Sequence, residues 1–157
     1  MTTIHVAGGV ATGPTAMASY DAALAEANLH NYNLVPVSSV VPADATVERV
    51  ESAPDLGPAG NRLTVVQARA TTTGPGRVSA GLGWTTGPGP GLFYEAAAEA
   101  DAETIRERVE QGLAAGRALR DWEFEDERVE IASVDAEAGV YTTAVVLAAY
   151  GESEPIR

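Results

Sequence analysis

The stretch Asn31-Tyr-Asn-Leu-Val-Pro-Val-Ser-Ser-Val-Val-Pro42 constrains the fold more than any other part of the chain. Its β-branched residues make Tyr32 to Val41 strand-like, and Pro42 stops it. Any fold that contains this strand must hold two adjacent hydroxyls, Ser38 and Ser39, between apolar neighbours. One reading makes them polar positions on a half-buried edge strand. The other makes the Ser38–Ser39 peptide a self-processing bond. In that chemistry the Ser39 hydroxyl attacks the Ser38 carbonyl and turns the amide into an ester. β-Elimination then leaves dehydroalanine, which hydrolyses to a pyruvoyl group. The steps need a backbone held in a reactive geometry and donors for the developing oxyanion.

The chain has 157 residues, enough for one domain with a real core. It carries 22 acidic residues against 10 basic ones, a formal net charge of −12, and every basic residue is Arg. The absence of Lys excludes a lysine Schiff base or a pyridoxal-phosphate lysine. The charge argues against nucleic-acid binding and suits a cationic ligand, or plain solubility. An acid-rich, lysine-free composition also looks like that of a salt-loving organism's cytoplasm, although high genomic GC content gives the same Lys-to-Arg bias. With no Cys, disulfides and thiolate metal sites are ruled out. No apolar run reaches the roughly 18 residues of a membrane span, and no charged start leads into an apolar block, so neither a transmembrane nor a signal segment is expected.

Along the chain, Thr2 to Ala7 reads as a strand, with Gly8-Gly9 and Thr12-Gly13-Pro14 as a turn. That glycine-rich loop lacks a P-loop lysine and a full dinucleotide fingerprint, which leaves a plain turn ahead of a phosphate cradle. Thr15 to Ala27 reads as an Ala-rich helix ending at Asn28, with Thr12 or Thr15 as its cap. Ala45 to Val50 reads as a short strand, and residues 52–61 as a loop. Arg62 to Thr72 and Arg77 to Thr85 are expected to form a hairpin around Thr73-Gly74-Pro75-Gly76. Gly87 to Gly91 is a loop, and the alanines of Leu92 to Ala98 suit a helix. Asp101 to Asp121 is the clearest helix, with Ile105, Val109, Leu113 and Leu119 on one face, and Gly112, Ala115 and Gly116 suited to close approach to a sheet. Arg128 to Val134 and Gly139 to Tyr150 are the last strands, followed by a loose tail from Gly151. Two helices and several strands make this α+β, a layered sandwich.

Few residues stand out chemically. Asp21 lies mid-helix, where a carboxylate is usually solvated. Glu95 lies among Leu92, Phe93, Tyr94 and Ala96. Desolvation there would favour its protonated form and suit a general acid, whereas the alternative is a strand's solvent face. Trp122 suits a core, and His5 and His30 are too isolated to indicate a metal site.

From Tyr20 to Pro42, the Asp21-x-x-Leu24 helix end followed by Asn33-Leu34-Val35-x-Val37-Ser38-Ser39, an aliphatic pair and Pro42, closely resembles the pyruvoyl-dependent arginine decarboxylase family. The resemblance runs from about Val6 to Tyr150, and the Asn-Leu-Val-x-Val-Ser-Ser core is its specific part. It implies a single domain, 1–157, with a four-layer αββα sandwich, cut into a β chain of 1–38 and an α chain of 39–157. It makes Leu92 to Ala98 a strand. It further implies a covalent pyruvoyl group derived from Ser39, with neither a metal nor pyridoxal phosphate. Glu95 falls at the proton-donor position and Asn33 near the pyruvoyl group. Asp21 becomes the partner of the substrate's guanidinium, which a carboxylate holds by bidentate, charge-assisted bonds. Leu24, His30 and Tyr32 fall where the family contributes main-chain carbonyls to that pocket. The implied reaction turns L-arginine into agmatine and carbon dioxide for polyamine synthesis, in the cytoplasm, by a homotrimer or dimer of trimers with its active sites between subunits. Two other readings stay open: a trimeric binding or scaffold protein that has lost processing, and a pyruvoyl decarboxylase for lysine or ornithine.

Overall fold

A computed structural model describes residues 2–157; Met1 lies outside the described residues. The chain folds as β1 (Thr2–Gly13), α1 (Ala16–Glu26), β2 (Asn33–Pro36), β3 (Val40–Val41), β4 (Ala45–Arg49), β5 (Arg62–Thr72), β6 (Gly76–Thr86), β7 (Gly91–Ala98), α2 (Ala102–Ala118), β8 (Asp126–Ala136) and β9 (Tyr141–Tyr150). The strands make a five-stranded sheet ordered β2-β5-β9-β1-β4 and a four-stranded sheet ordered β3-β7-β6-β8. The fold is therefore mixed α+β, as expected.

The alternation of side chains along β9 shows how the sheets are covered. Ala144, Val146 and Ala148 meet Val78, Ala80, Leu82 and Trp84 of β6 and Phe93 of β7, so one core lies between the sheets. Val145, Leu147 and Ala149 point the other way and pack with Ala23, Leu24 and Ala27 around α1. A strand buried on both faces needs a continuous apolar run, which β9 has. On the second sheet, Ile105, Val109 and Leu113 of α2 pack with Leu92. The edges of the two sheets are tied by Arg49 of β4 and Glu130 of β8, whose Nε and Oε2 lie 2.7 Å apart.

Helix α1 begins after Thr15, one of its two candidate caps, and α2 begins after Asp101, where the periodic pattern starts. The Thr15 hydroxyl accepts from Ala18 N–H at 3.0 Å, and the Asp101 carboxylate accepts from Thr104 N–H at 2.8 Å. Asn28, which ends α1, has φ 60°, a left-handed conformation that Asn tolerates.

Five expectations are corrected. Leu119, expected on the buried face of α2, caps the helix end and is 82% exposed. Gly8-Gly9 is no turn, because β1 runs through to Gly13 and pairs with β9 along Ile4–Gly13. These glycines serve close packing: a Cβ on Gly9 would overlap the Ala23 carbonyl oxygen of α1. The segment expected as a hairpin is a crossing between sheets, since β5 pairs with β2 and β9 while β6 pairs with β7 and β8. Tyr32 to Val41 is two strands, not one. The tail is tied down: Arg62 and Glu154 exchange backbone hydrogen bonds, with Arg62 N–H donating to Glu154 at 2.8 Å. The close approach expected of α2 does hold, as a Cβ on Gly112 would strike the Tyr94 ring. Among the described residues no helix is long and apolar enough to cross a membrane.

Candidate active site

The Ser38–Ser39 bond hangs between the two sheets. Val37 N–H donates to Val65 of β5 at 2.9 Å, which anchors the chain to the five-stranded sheet. Two residues later the Ser39 carbonyl accepts from Phe93 N–H of β7 at 2.8 Å, which anchors it to the other sheet. Val40 and Val41 then pair with Leu92 and Gly91. Residues 37–39 belong to no strand. The continuous β propensity that predicts one strand is split because its two ends extend different sheets. Ser38 is exposed and Ser39 half-buried. Both line a cleft of about 360 Å³ with Leu92, Tyr94, Gly116 and Arg120. The small α2 residues Gly112 and Gly116 therefore help to open a cleft beside the serines as well as allowing close packing.

Glu95 lies on β7 two residues beyond the Phe93 amide. By alternation its side chain shares a face with Phe93, towards the space between the sheets, and not with Leu92 and Tyr94, which face α2. Glu95 itself is exposed, and the partial desolvation of its carboxyl group raises its pKa above the usual carboxylate range, against the opposing pull of its own backbone hydrogen bond. Close by is Tyr150, the last residue of β9. Burial, and then the charge of Glu95, push its phenol up to about 12. Its hydroxyl donates to the Val40 carbonyl at 2.9 Å, and its ring meets Phe93 edge-on with centroids 5.9 Å apart. Sequence reasoning missed Tyr150, because it closes an apolar run in which an aromatic residue reads as core.

Asp21, Leu24, His30, Tyr32 and Asn33 all line a second cleft, of about 570 Å³, where α1 meets the start of β2. Helix α1 presents Asp21 to solvent and buries Leu24. No salt bridge among the described residues engages Asp21. The Leu24 carbonyl accepts from Leu29 N–H at 2.9 Å, which leaves it one further lone pair. His30 is exposed. Tyr32 and Asn33 hold the following loop: Leu56 N–H donates to the Tyr32 hydroxyl at 3.1 Å, and the Asn33 amide donates to the Gly60 carbonyl at 2.8 Å.

One chain thus brings together two separate sets. Ser38 and Ser39 share one cleft, with Tyr94, the neighbour of Glu95, on its wall. Asp21 and the four residues grouped with it share another. Asn33 lines the second cleft and not the one beside Ser39. The first set offers a nucleophilic hydroxyl and a bound carbonyl; Glu95, biased towards its acid form, does not line this cleft and projects from the other face of β7. The second offers an unpaired carboxylate suited to a cation. Among the described residues no group of His, Asp and Glu could hold a metal ion.

A family model described as pyruvoyl-dependent arginine decarboxylase matches residues 3–155. A pyruvoyl-dependent arginine decarboxylase of Halobacterium salinarum is 56% identical over 157 residues, covering 99% of this chain and 98% of its own. One of Pyrococcus abyssi is 33% identical over 79% of each chain. One of Methanopyrus kandleri is 28% identical over 87% of this chain and 88% of its own.

Proposed function

The chain belongs to the pyruvoyl-dependent arginine decarboxylase family, and from that membership we propose that it converts L-arginine to agmatine and carbon dioxide, using a pyruvoyl group made from its own Ser39. It is a carboxy-lyase of that family. The observation that carries the site assignment is the position of Ser38–Ser39, suspended between a bond to one sheet and a bond to the other.

In processing, Ser39 Oγ attacks the Ser38 carbonyl carbon, and the Ser38–Ser39 C–N bond gives way to an ester. Loss of the Ser39 α-proton expels the Ser38 carboxylate. Water then replaces the nitrogen of the resulting dehydroalanine, releasing ammonia. The two anchors limit the bond's motion to a short span, which favours an intramolecular attack.

The residues fit the resulting group. The chain has no Lys to carry a different carbonyl cofactor. Phe93 N–H already bonds the Ser39 carbonyl, and the cleft beside it is walled mainly by apolar and small side chains. When present, the pyruvoyl group supplies the electron sink that loss of carbon dioxide from Cα demands. The protein's own parts do the rest. Phe93 N–H polarises the Ser39 carbonyl. Glu95, held towards its acid form by desolvation, delivers a proton to the substrate Cα. Asp21 takes the guanidinium by paired charge-assisted bonds, assisted by the main-chain carbonyls of Leu24, His30 and Tyr32.

Helix, sheet, sheet and helix follow one another through three cores, which supports reading the fold as a four-layer αββα sandwich in a single domain. Two clefts in one chain support an active site completed by another copy, with Asn33 and Asp21 of one subunit serving Ser39 of the next in a homotrimer or a dimer of trimers. Exposed Val35, Val37, Val40 and Tyr94 provide apolar surface near the serines for such a contact. Cytoplasmic agmatine supply for polyamine synthesis completes the proposal.

The test is to incubate purified protein with carboxyl-labelled arginine, lysine and ornithine, and to measure released carbon dioxide before and after borohydride. Borohydride-sensitive release from arginine is expected. Preference for lysine or ornithine would overturn the substrate. A protein without any reducible carbonyl would favour the scaffold reading.

A further inference from the structure

Strand β3 has only two residues and lies at the edge of its sheet. So short a strand holds its place weakly by its ladder alone. Successive carbonyls along a strand point to opposite sides, and on an edge strand one set faces away from the neighbour. The Ser39 carbonyl points to β7 and takes Phe93 N–H at 2.8 Å. The next carbonyl, that of Val40, has no strand on its outer side. It is taken instead by the hydroxyl of Tyr150, at 2.9 Å, reaching across from the five-stranded sheet. The Tyr150 ring is itself held edge-on to Phe93, the residue whose amide holds Ser39.

We propose that Tyr150 is a positioning residue for self-processing: its hydroxyl, by gripping the Val40 carbonyl from the side opposite Phe93, stops the backbone after Ser39 from rotating and holds the Ser39 hydroxyl against the Ser38 carbonyl. The inference rests on the reading of Ser38–Ser39 as the self-cleaving bond. A phenol pushed up to about 12 stays a donor throughout the range in which such a protein works. A hydroxyl bond of this kind changes a rate by roughly three- to tenfold when it is removed.

The test compares wild type with Tyr150→Phe, which keeps the ring and its contact with Phe93 but has no hydroxyl. Both are made by short cell-free synthesis, and the full-length and cut chains are followed by denaturing mass spectrometry. Tm is measured on uncleaved chains carrying Ser39→Ala, with and without Tyr150→Phe. Fully processed enzymes are then compared for kcat and KM. The expected result is cleavage slowed roughly three- to tenfold, with Tm lowered by no more than about 5 °C, kcat reduced and KM for arginine held, since the Asp21 cleft is untouched. Cleavage by Tyr150→Phe at the wild-type rate would overturn the role of Tyr150 while leaving the processing site intact. Slowed cleavage accompanied by a large fall in Tm would overturn it in favour of plain scaffolding. A wild-type chain that never cuts between Ser38 and Ser39 would overturn the underlying site assignment.

Discussion

Phe93 holds Ser39 by its backbone: the amide of one donates to the carbonyl of the other at 2.8 Å, and Glu95 follows two residues along the same strand. Strand geometry puts Glu95 Cα about 6–7 Å beyond Phe93 Cα and on the same face. The proposed processing residue and the candidate proton donor are therefore both held by one strand, β7.

Incubation of the purified chain should yield two species on denaturing mass spectrometry, residues 1–38 and a pyruvoyl-capped 39–157. Ser39→Ala lacks both the nucleophile and the source of the carbonyl, and should remain full length. A wild-type chain still intact after long incubation in high salt would count against processing.

Glu95→Gln keeps size and hydrogen bonding but has no acid proton. With chemistry rate-limiting, kcat should fall by roughly two to four orders of magnitude while KM changes little. In wild type, desolvation raises the Glu95 pKa, so the acid form, and with it kcat, should persist to a higher pH than for an ordinary carboxyl group and decline as pH rises through the raised value. The same shift sets a stability window. The folded state retains this proton where the unfolded state has lost it, so Glu95 favours folding fully at low pH and that contribution is lost as pH rises through the folded pKa. A fully processed Glu95→Gln enzyme turning over arginine at the normal rate would remove the assignment.

Asp21→Asn should raise KM for arginine. The size of the effect reports on the surroundings of Asp21. An ion pair enclosed by a neighbouring copy should cost about 2–5 kcal/mol to break, whereas one left as exposed as Asp21 is in the single chain should cost under about 1 kcal/mol. Unchanged KM in fully processed protein would remove Asp21 from the substrate site.

Light scattering should show trimers, or multiples of three, whose assembly strengthens with salt. Each chain carries a net charge of −12, and the repulsion between copies is screened over about 10 Å at 0.1 M salt and about 3 Å at 1 M. A monomer fully active in high salt would rule out a site shared between copies.

Gly9→Ala, tested in the uncut Ser39→Ala background, should lower Tm by about 2–10 °C, because the added methyl has to displace the Ala23 carbonyl of α1. An unchanged Tm would mean that α1 moves away without cost.

Much of this architecture can be read from local patterns. Thr15 and Asp101 announce the helix starts, and the apolar spacing of Ile105, Val109 and Leu113 announces the buried face of α2. What local patterns do not carry is the sheet to which a strand belongs. Val35 and Val40 have the same β propensity yet extend different sheets, and β5 and β6 resemble a hairpin because nothing in their alternation distinguishes a turn from a crossing. Gly8 and Gly9 mislead for a related reason, since a glycine that makes room for a helix reads like one that makes a turn. The Ser38–Ser39 pair, Asp21 and Glu95 are singled out by the family resemblance, since each alone also reads as an ordinary polar position. Tyr150 is not, because its hydroxyl bond to Val40 joins residues 110 positions apart.

The strand order β2-β5-β9-β1-β4 gives a cut after Ser38 a lasting effect. The short fragment would keep β1, clasped between β9 and β4 through partners along Ile4–Gly13 and Thr2–Val6, and also β2, clipped to the far side of β5. Neither piece could leave without dismantling the larger sheet, so the mature protein would persist as an interlaced pair with no bond between its halves. Unfolding would end that arrangement for good in dilute solution, because two strangers must then meet where one chain once folded on itself. Such a cut would act as a ratchet: the precursor could be denatured and recovered, while the cut protein would endure by how slowly it opens.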